Sequence, residues 1–189
     1  MIDLPAKTAL IVIDAQKGFD DPRWGKRNNP QAESNIRRLL EAWRRAHMPV
    51  IHTQHCSKER DSPLRPGVSG NEIEKIAAPR PGEPVLRKSV NSAFIGTRLK
   101  PLLRKKRIGT VVLVGITTDH CVSTTARMAG NMGFHTYVVS DATATFDRTG
   151  PDGRMYEADQ IHAVNLASLH KEFATIIDTK SLLKKLANT

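Results

Sequence analysis

Cysteine is scarce in this sequence, which has only Cys56 and Cys121 among its 189 residues. Two cysteines outside any Cys-x-x-Cys motif are too few for a disulfide framework, so we expect two free thiols and a cytoplasmic protein. The sequence also lacks any apolar run approaching the roughly 20 residues that cross a bilayer. It begins with the acidic Met1-Ile2-Asp3, whereas a secretory signal begins with basic residues. These absences predict a soluble protein that is neither exported nor bound to membranes.

Aromatic residues make up only 5% of the chain, whereas basic residues are abundant. The 29 lysines and arginines exceed the 19 acidic residues and give a formal net charge of +10. The excess charge would attract anionic substrates. A nucleic-acid surface would also require interleaved aromatic residues or a recognition helix, and neither pattern is present. The basic residues lie at helical spacing, as around Leu39, Leu40 and Trp43, which is typical of a solvated helix face. We expect no nucleic-acid partner.

Glycine-rich phosphate-binding loops are also missing from the sequence. The first apolar run, at residues 9–13, is followed by neither Gly-x-Gly-x-x-Gly nor a Gly-Lys-Ser/Thr loop. We therefore expect no nucleotide and no other cofactor.

Apolar β-branched runs alternate along the chain with segments of helical periodicity. The runs predict strands near residues 8–14, 50–54, 84–87, 110–114, 134–140 and 173–177. Helices are predicted near residues 31–47, 96–106, 121–132 and 155–170, followed by a leucine-rich terminal helix. Such alternation produces a mostly parallel sheet with right-handed crossovers. We predict one domain over residues 1–189, with a three-layer α/β/α fold and a doubly wound, six-stranded, mostly parallel, Rossmann-like sheet. Residues 56–84 and 146–155 are predicted as loops that border the ligand site.

Three residues with complementary chemistry are predicted at one edge of this sheet. Asp14 closes the first strand, Lys88 follows the third, and Cys121 begins the helix after the fourth. Ligands of such sheets bind beyond the carboxyl ends of the strands. A cysteine at a helix N-terminus loses its proton more easily, an acid can accept that proton, and a lysine can hold the thiolate. Singly, Cys121 could be a core residue, Asp14 a turn cap and Lys88 a solvated lysine. Together they favour a catalytic site.

Three motifs occur in order along nearly the whole chain. They are Ile13-Asp14-Ala15-Gln16 with Phe19, Lys88 with Asn91-Ser92-Ala93-Phe94, and Gly115-Ile116-Thr117-Thr118-Asp119-His120-Cys121-Val122. With these motifs the sequence resembles the isochorismatase-like cysteine hydrolases, a family that includes nicotinamidases and N-carbamoyl amidohydrolases. The resemblance implies an Asp-Lys-Cys triad on a six-stranded parallel sheet and a small-molecule substrate. It also implies a homo-oligomer, either a dimer or a tetramer.

The resemblance implies a role for each residue of the triad. Cys121 would be the nucleophile, Asp14 the general base, and Lys88 the cation that orients the acid and favours the thiolate. The backbone N–H groups of Thr117 and Cys121 would form the oxyanion hole, and the peptide bond between Ile116 and Thr117 would be cis. The implied reaction is hydrolysis of an amide or carbamoyl C–N bond through a thioester.

Four further residues in the motifs are predicted to contact the substrate or the triad: Gln16, Phe19, Asn91 and Phe94. The amides of Gln16 and Asn91 offer hydrogen bonds, and the two phenylalanines would form pocket walls. Both phenylalanines could equally be core residues. The motifs do not identify the substrate.

A metal ion is not expected. Nicotinamidases hold a divalent metal through an Asp-x-His pair and a further histidine, whereas this chain has His52, His55 and Cys56 in that region, with no matching aspartate. Such a single cluster also lacks the second ligand pair of a structural zinc site.

Two alternatives to amide hydrolysis stay open. One is an ether hydrolase acting on isochorismate, which would not need Cys121, and the other is a noncatalytic small-molecule-binding module.

Overall fold

A six-stranded parallel sheet forms the centre of the computed structural model, which describes residues 4–5 and 7–187. Its strands are β1 (Ala9–Ile13), β2 (Val50–His55), β3 (Val85–Lys88), β4 (Thr110–Ile116), β5 (His135–Ala144) and β8 (Thr175–Ile177). Between β5 and β8 the chain forms a separate antiparallel hairpin of β6 (Arg148–Thr149) and β7 (Met155–Tyr156). The spatial order in the sheet is β3-β2-β1-β4-β5-β8, and all neighbours are parallel. Residues 1–3, used above to predict that the protein is not exported, lie outside the described part.

Helices cover both faces of the sheet. They are α1 (Ala32–Arg45), α2 (Leu99–Lys105), α3 (Ser123–Asn131), α4 (Ala158–Leu169) and α5 (Thr179–Ala187). One face packs against α1 and α5, where Trp43 and Leu182 are fully buried. The other face packs against α2, α3 and α4, where Leu103, Ala126 and Leu169 join the core. The predicted three-layer α/β/α fold with a doubly wound parallel sheet is confirmed.

The two central strands, β1 and β4, are buried along their whole length. Successive side chains of a strand point to opposite faces. Leu10 therefore joins the core beneath α1, and Ile11 joins the core beneath α2 and α3. Burial on both faces explains why these strands are continuous apolar runs in the sequence.

The strand order reverses between β1 and β4, because the chain leaves β1 towards β2 on one side and returns from β3 to β4 on the other. Ile13 at the end of β1 is the register partner of Gly115 near the end of β4. Gly115 has φ +124°, and a Cβ atom at this position would lie 1.9 Å from the carbonyl oxygen of Ile13. Only glycine fits this contact. Asp14 and the segment after β4 consequently lie side by side at the switch point, where ligands of such sheets bind.

Several predicted element boundaries differ from the observed ones. β5 continues to residue 144. Its register with β4 shifts between Leu113 and Gly115 of β4, and the pairing then resumes with Thr143 opposite Gly115 and Ala144 opposite Ile116. The helix predicted from residue 155 begins at 158, and the residues before it form β7. The loop predicted at 146–155 contains the β6–β7 hairpin, whose two-residue strands are too short to produce a periodic pattern.

The long segment 56–84 is an irregular loop, as predicted, with 3-10 turns at Ser69–Asn71 and Lys75–Ala77. An isolated antiparallel bridge joins Gln16 to Ile73 and ties this loop to the end of β1. Within residues 4–5 and 7–187, no helix is both long and apolar enough to cross a membrane.

Candidate active site

A buried ion pair lies at the carboxyl edge of the sheet. Asp14 directly follows β1 and Lys88 is the last residue of β3, so β2 separates the two strands. The Lys88 Nζ and Asp14 Oδ2 atoms are 2.5 Å apart, and both side chains are fully buried. Thr53 of β2 donates its hydroxyl to the other carboxylate oxygen at 2.7 Å. The carboxylate is therefore held from two neighbouring elements.

The sulfur of Cys121 lies against the same ammonium group. Lys88 Nζ donates to Cys121 Sγ at 3.3 Å, and the Sγ atom is 3.8 Å from Asn91 Oδ1. Cys121 belongs to a π-helical turn, Thr118–Val122, that leads into α3. In this turn the N–H of Val122 donates to the carbonyl oxygen of Thr117 at 3.1 Å. The sequence predicts an ordinary helical first turn here, and the observed turn is one residue wider.

Burial controls the proton on this cysteine. Cys121 is only 6% exposed, and burial together with the negative charge of Asp14 raises the pKa of its thiol to about 12, against the opposing effect of Lys88. The expectation that a helix N-terminus would make the thiol more acidic is therefore wrong for the resting protein. The desolvation cost of a thiolate and its repulsion by Asp14 exceed the stabilisation that Lys88 provides. At neutral pH the site holds a neutral thiol beside an Asp–Lys ion pair.

The ammonium of Lys88 has two further acceptors. These are the carbonyl oxygen of Val90 at 3.1 Å and Nδ1 of His55 at 3.3 Å. Burial alone would lower the pKa of Lys88, but the charge of the Asp14 carboxylate and the hydrogen bond to Cys121 outweigh this and raise it. Lys88 is therefore positively charged at neutral pH.

The histidines that the sequence places near this edge are separated in the structure. His52 and His55 lie three residues apart on β2 and so face opposite sides of the sheet. His52 contacts Glu83 Oε2 at 3.0 Å, whereas His55 faces the Asp14 side.

The ligand atoms of Asp14, His55 and Cys121 lie within 4.8 Å of one another, which would suit a metal ion. However, Lys88 Nζ contacts all three of these groups, at 2.5, 3.3 and 3.3 Å respectively. These residues fit the lysine ammonium, and a divalent ion would have to displace it.

The four residues predicted to contact substrate occupy different surroundings. Gln16 is buried and uses its whole amide within the protein, since Nε2 donates to the carbonyl oxygens of His55 and Asn71 and Oε1 accepts from the N–H of His55. Phe94 is 8% exposed and stacks on Phe134 with ring centroids 5.9 Å apart. A contact of Gln16, Asn91, Phe19 or Phe94 with substrate stays a prediction.

Phe19 belongs to a small apolar cluster next to the nucleophile loop. The cluster contains Phe19, Leu64, Ile116 and Phe146, with Trp24 packed against it. The ring of Phe19 lies 5.5 Å from that of Trp24 and 6.3 Å from that of Phe146, measured between centroids. Ile116 is joined to Thr117 by a cis peptide bond. The cluster forms an apolar wall beside the loop that carries Cys121.

Sequence reasoning missed the contacts of Asp119, which lies two residues before the cysteine. Arg148 Nε donates to Asp119 Oδ2 at 2.8 Å, and Thr145 donates its hydroxyl to Oδ1 at 2.5 Å. Burial would raise the pKa of Asp119, but the hydrogen bonds from Arg148 and Thr145 lower it to about 2. The partners are 26 and 29 residues away in sequence, so no local pattern indicates them.

Comparison with known proteins gives a family match over most of the chain. A family model described as Isochorismatase domain matches residues 8–181. The isochorismatase family protein YrdC of Bacillus subtilis is 48% identical over 183 residues, covering 97% of this chain and 98% of that protein. A solved structure of an isochorismatase-family protein from Chromobacterium violaceum superposes with a TM-score of 0.96 at 42% identity, covering 100% of this chain and 98% of that chain.

Two more distant relatives carry the names of amide-hydrolysing enzymes. Nicotinamidase 3 of Arabidopsis thaliana is 29% identical over 191 residues, covering 94% of this chain and 88% of that protein. Maleamate amidohydrolase of Pseudomonas putida is 28% identical over 197 residues, covering 95% of this chain and 87% of that protein. At these coverages both matches include the region from Asp14 to Cys121.

Proposed function

Because the chain belongs to the isochorismatase family of hydrolases, we propose that it cleaves the C–N bond of a small amide or carbamoyl compound with a cysteine nucleophile. The observation that carries this proposal is one buried ammonium, that of Lys88, in contact with both the Asp14 carboxylate at 2.5 Å and the Cys121 sulfur at 3.3 Å. A buried ion pair contributes little to stability compared with apolar residues of similar size. Its position beside a thiol at the switch point therefore favours a chemical role.

The first half of the reaction forms a thioester. The sulfur of Cys121 attacks the carbonyl carbon while Asp14 takes the thiol proton, because the buried thiol, with its pKa near 12, is protonated beforehand. A C–S bond forms, and the carbonyl π electrons move to oxygen. The backbone N–H groups of Thr117 and Cys121 are the proposed donors to that oxygen. The C–N bond then breaks, and Asp14 returns the proton to the departing amine.

The second half hydrolyses the thioester. Asp14 takes a proton from a water molecule as the water oxygen bonds to the thioester carbon. The C–S bond then breaks, Asp14 gives its proton to the sulfur, and the acid product leaves. Lys88 keeps its proton throughout, so a positive charge stays next to each negative charge that forms on Asp14 or Cys121.

The relatives support C–N cleavage over the alternatives. The names nicotinamidase and maleamate amidohydrolase describe amide hydrolysis in proteins that match nearly this whole chain. An ether hydrolase would need the acid but not the thiol, and a binding module would need neither. This chain has Asp14, Lys88 and Cys121 together in one buried group.

A substrate panel with two matched cysteine variants tests the proposal. We would incubate the protein with nicotinamide, maleamate, an N-carbamoyl amino acid and isochorismate, and measure ammonia and acid products. Cys121→Ala should abolish turnover of an amide or carbamoyl compound, whereas Cys56→Ala should leave the rate unchanged. Mass spectrometry of the quenched reaction should detect an acyl group on Cys121. Amide turnover that survives in Cys121→Ala would disprove cysteine catalysis, and isochorismate turnover in that variant would favour the ether hydrolase.

Two predictions from the sequence, the location and the oligomeric state, belong to the proposal. A cytoplasmic location follows from the scarcity of cysteine, and a dimer or tetramer follows from the family resemblance. Size-exclusion chromatography with light scattering measures the second directly, and a monomeric mass at micromolar concentration would contradict it.

A further inference from the structure

The ammonium of Lys88 is surrounded by more hydrogen-bond acceptors than it has hydrogens. The acceptors are Asp14 Oδ2 at 2.5 Å, Val90 O at 3.1 Å, His55 Nδ1 at 3.3 Å and Cys121 Sγ at 3.3 Å. An ammonium carries three hydrogens, so four acceptors share three donors. Asp14 and Cys121 change their charge in the proposed reaction, whereas Val90 and His55 do not.

The position of His55 is fixed by the sheet and by its own main chain. His55 and Lys88 are register partners at the ends of the parallel strands β2 and β3. The N–H of His55 donates to Gln16 Oε1 at 2.7 Å, and its carbonyl oxygen accepts from Asn71 Nδ2 at 2.8 Å. The anchored backbone places the imidazole beside its register partner, with Nδ1 3.3 Å from Lys88 Nζ.

The contact with Lys88 specifies the protonation state of His55. An ammonium can only donate, so Nδ1 must be the acceptor and any ring proton must be on Nε2. Burial and the positive charge of Lys88 lower the pKa of His55, and Asp14 and Glu59 oppose this. Burial and the charge of Lys88 prevail, so the neutral imidazole is favoured.

We propose that neutral His55 is a positioning residue for the reaction: with the carbonyl of Val90 it holds two hydrogens of Lys88 and keeps the third directed at Cys121, next to the Asp14 carboxylate. The inference rests on the proposed function. In the resting site the third hydrogen is donated to Cys121 Sγ at 3.3 Å, while the Asp14 carboxylate lies 2.5 Å from the nitrogen as its ion-pair partner. Once Asp14 has taken the thiol proton, the negative charge is on the sulfur, and the same N–H makes a stronger, charge-assisted hydrogen bond to Sγ. No N–H bond of Lys88 breaks in this step.

Protonation of His55 abolishes this arrangement. An imidazolium has no free acceptor and would place a second cation 3.3 Å from Lys88 Nζ. The activity should therefore fall on the acid side as His55 gains a proton, at a pH below the ordinary histidine pKa.

Two substitutions of His55 separate positioning from mere packing. Both are made in a Cys56→Ser background so that iodoacetamide reports only on Cys121. His55→Leu removes the acceptor and should slow alkylation of Cys121 at pH 8 by about tenfold, the equivalent of one charge-assisted hydrogen bond. His55→Asn places an amide oxygen near the former Nδ1 and should keep the rate close to that of the parent. Equal rates in the parent and His55→Leu, or equal losses in both variants, would overturn the proposal.

Two further measurements complete the test. In kcat/KM profiles the acid limb of His55→Asn should lie at lower pH than that of the parent, because asparagine does not titrate; an unchanged limb would contradict the proposal. Long-range ¹H–¹⁵N spectra of the parent should show His55 with its proton on Nε2 at neutral pH, and a proton on Nδ1 would also contradict it. The spectra and the alkylation rates need no substrate, so they test the role of His55 even if the parent hydrolyses no amide. Absence of amide hydrolysis would refute the proposed function but not the role of His55. The spectra also remain decisive if His55→Leu does not fold.

Discussion

Asp119 and Arg148 form an ion pair, 2.8 Å between Oδ2 and Nε, that joins the nucleophile turn to the β6–β7 hairpin. The side chain of Asp119 is 7% exposed and that of Arg148 is 25% exposed, so the pair is largely withdrawn from water. Thr145 donates a hydroxyl to the same carboxylate at 2.5 Å. Because Asp119 lies two residues before Cys121, these contacts connect the position of the sulfur to a hairpin that the sequence did not predict.

Loss of the arginine should therefore destabilise the fold. Arg148→Met leaves the Asp119 carboxylate buried without its cation, and we expect the free energy of unfolding to fall by about 2 kcal/mol. Arg154→Met is the matched control, because Arg154 lies on the same hairpin but is exposed and only stacks over Tyr156, at 5.3 Å. Urea unfolding followed by circular dichroism measures both. Equal effects of the two substitutions would show that the ion pair has no special role.

The Asp14–Lys88 pair should show strong energetic coupling. Lys88→Met alone leaves a buried carboxylate without a partner and should cost about 3 kcal/mol of stability, whereas the double variant with Asp14→Asn should lose less than the sum of the single losses. Lys105→Met on the exposed side of α2 is the control and should change stability by less than about 0.5 kcal/mol. Additive losses in the double variant would contradict a direct buried pair.

The raised pKa of Cys121 predicts a loss of stability in alkali. The folded thiol keeps its proton up to a pH of about 12, whereas the unfolded thiol loses it near 9, so the folded state binds more protons between these values. Stability contributed by this group is complete below pH 9 and should decline above it by about 1.4 kcal/mol per pH unit.

Cys121→Ala should lack this component. The difference in unfolding free energy between the parent and Cys121→Ala, measured in urea at pH 8 and pH 10, should shift in favour of the variant at the higher pH. Parallel curves for the two proteins would mean that the folded thiol ionises as readily as the unfolded one.

Gly115 should not tolerate a side chain. A Cβ atom there would lie 1.9 Å from the carbonyl oxygen of Ile13, so Gly115→Ala must push β4 away from β1 and should cost more than about 3 kcal/mol. Gly109→Ala is the control, because nothing lies within 4 Å of the corresponding atom. Thermal melting distinguishes them, and similar melting temperatures would show that the β1–β4 contact is not tight.

The central strands and the cysteine loop illustrate how far sequence reasoning extends. β1 and β4 are recognisable in the sequence because burial on both faces requires continuous apolar runs. Asp14 directly follows the first of these runs, and Cys121 lies in the turn after the second. The β6–β7 hairpin was not recognisable, because strands of two residues carry no periodicity. The sequence places His55 at the end of the second strand but identifies no partner for its imidazole. Its relation to Lys88 depends on the register of β2 against β3, which a single sequence does not specify.

The sequence by itself determined the order of the helices and of the six sheet strands, the parallel sheet and the family, because hydrophobic periodicity and local motifs are properties of neighbouring residues. Tertiary structure alone decided the chemical state of the site. This applies to the proton on Cys121, the contacts of the Lys88 ammonium and the partners of Asp119. Each depends on desolvation and on distances of a few ångströms between residues far apart in the chain. Coulomb energies in a buried site change steeply over such distances.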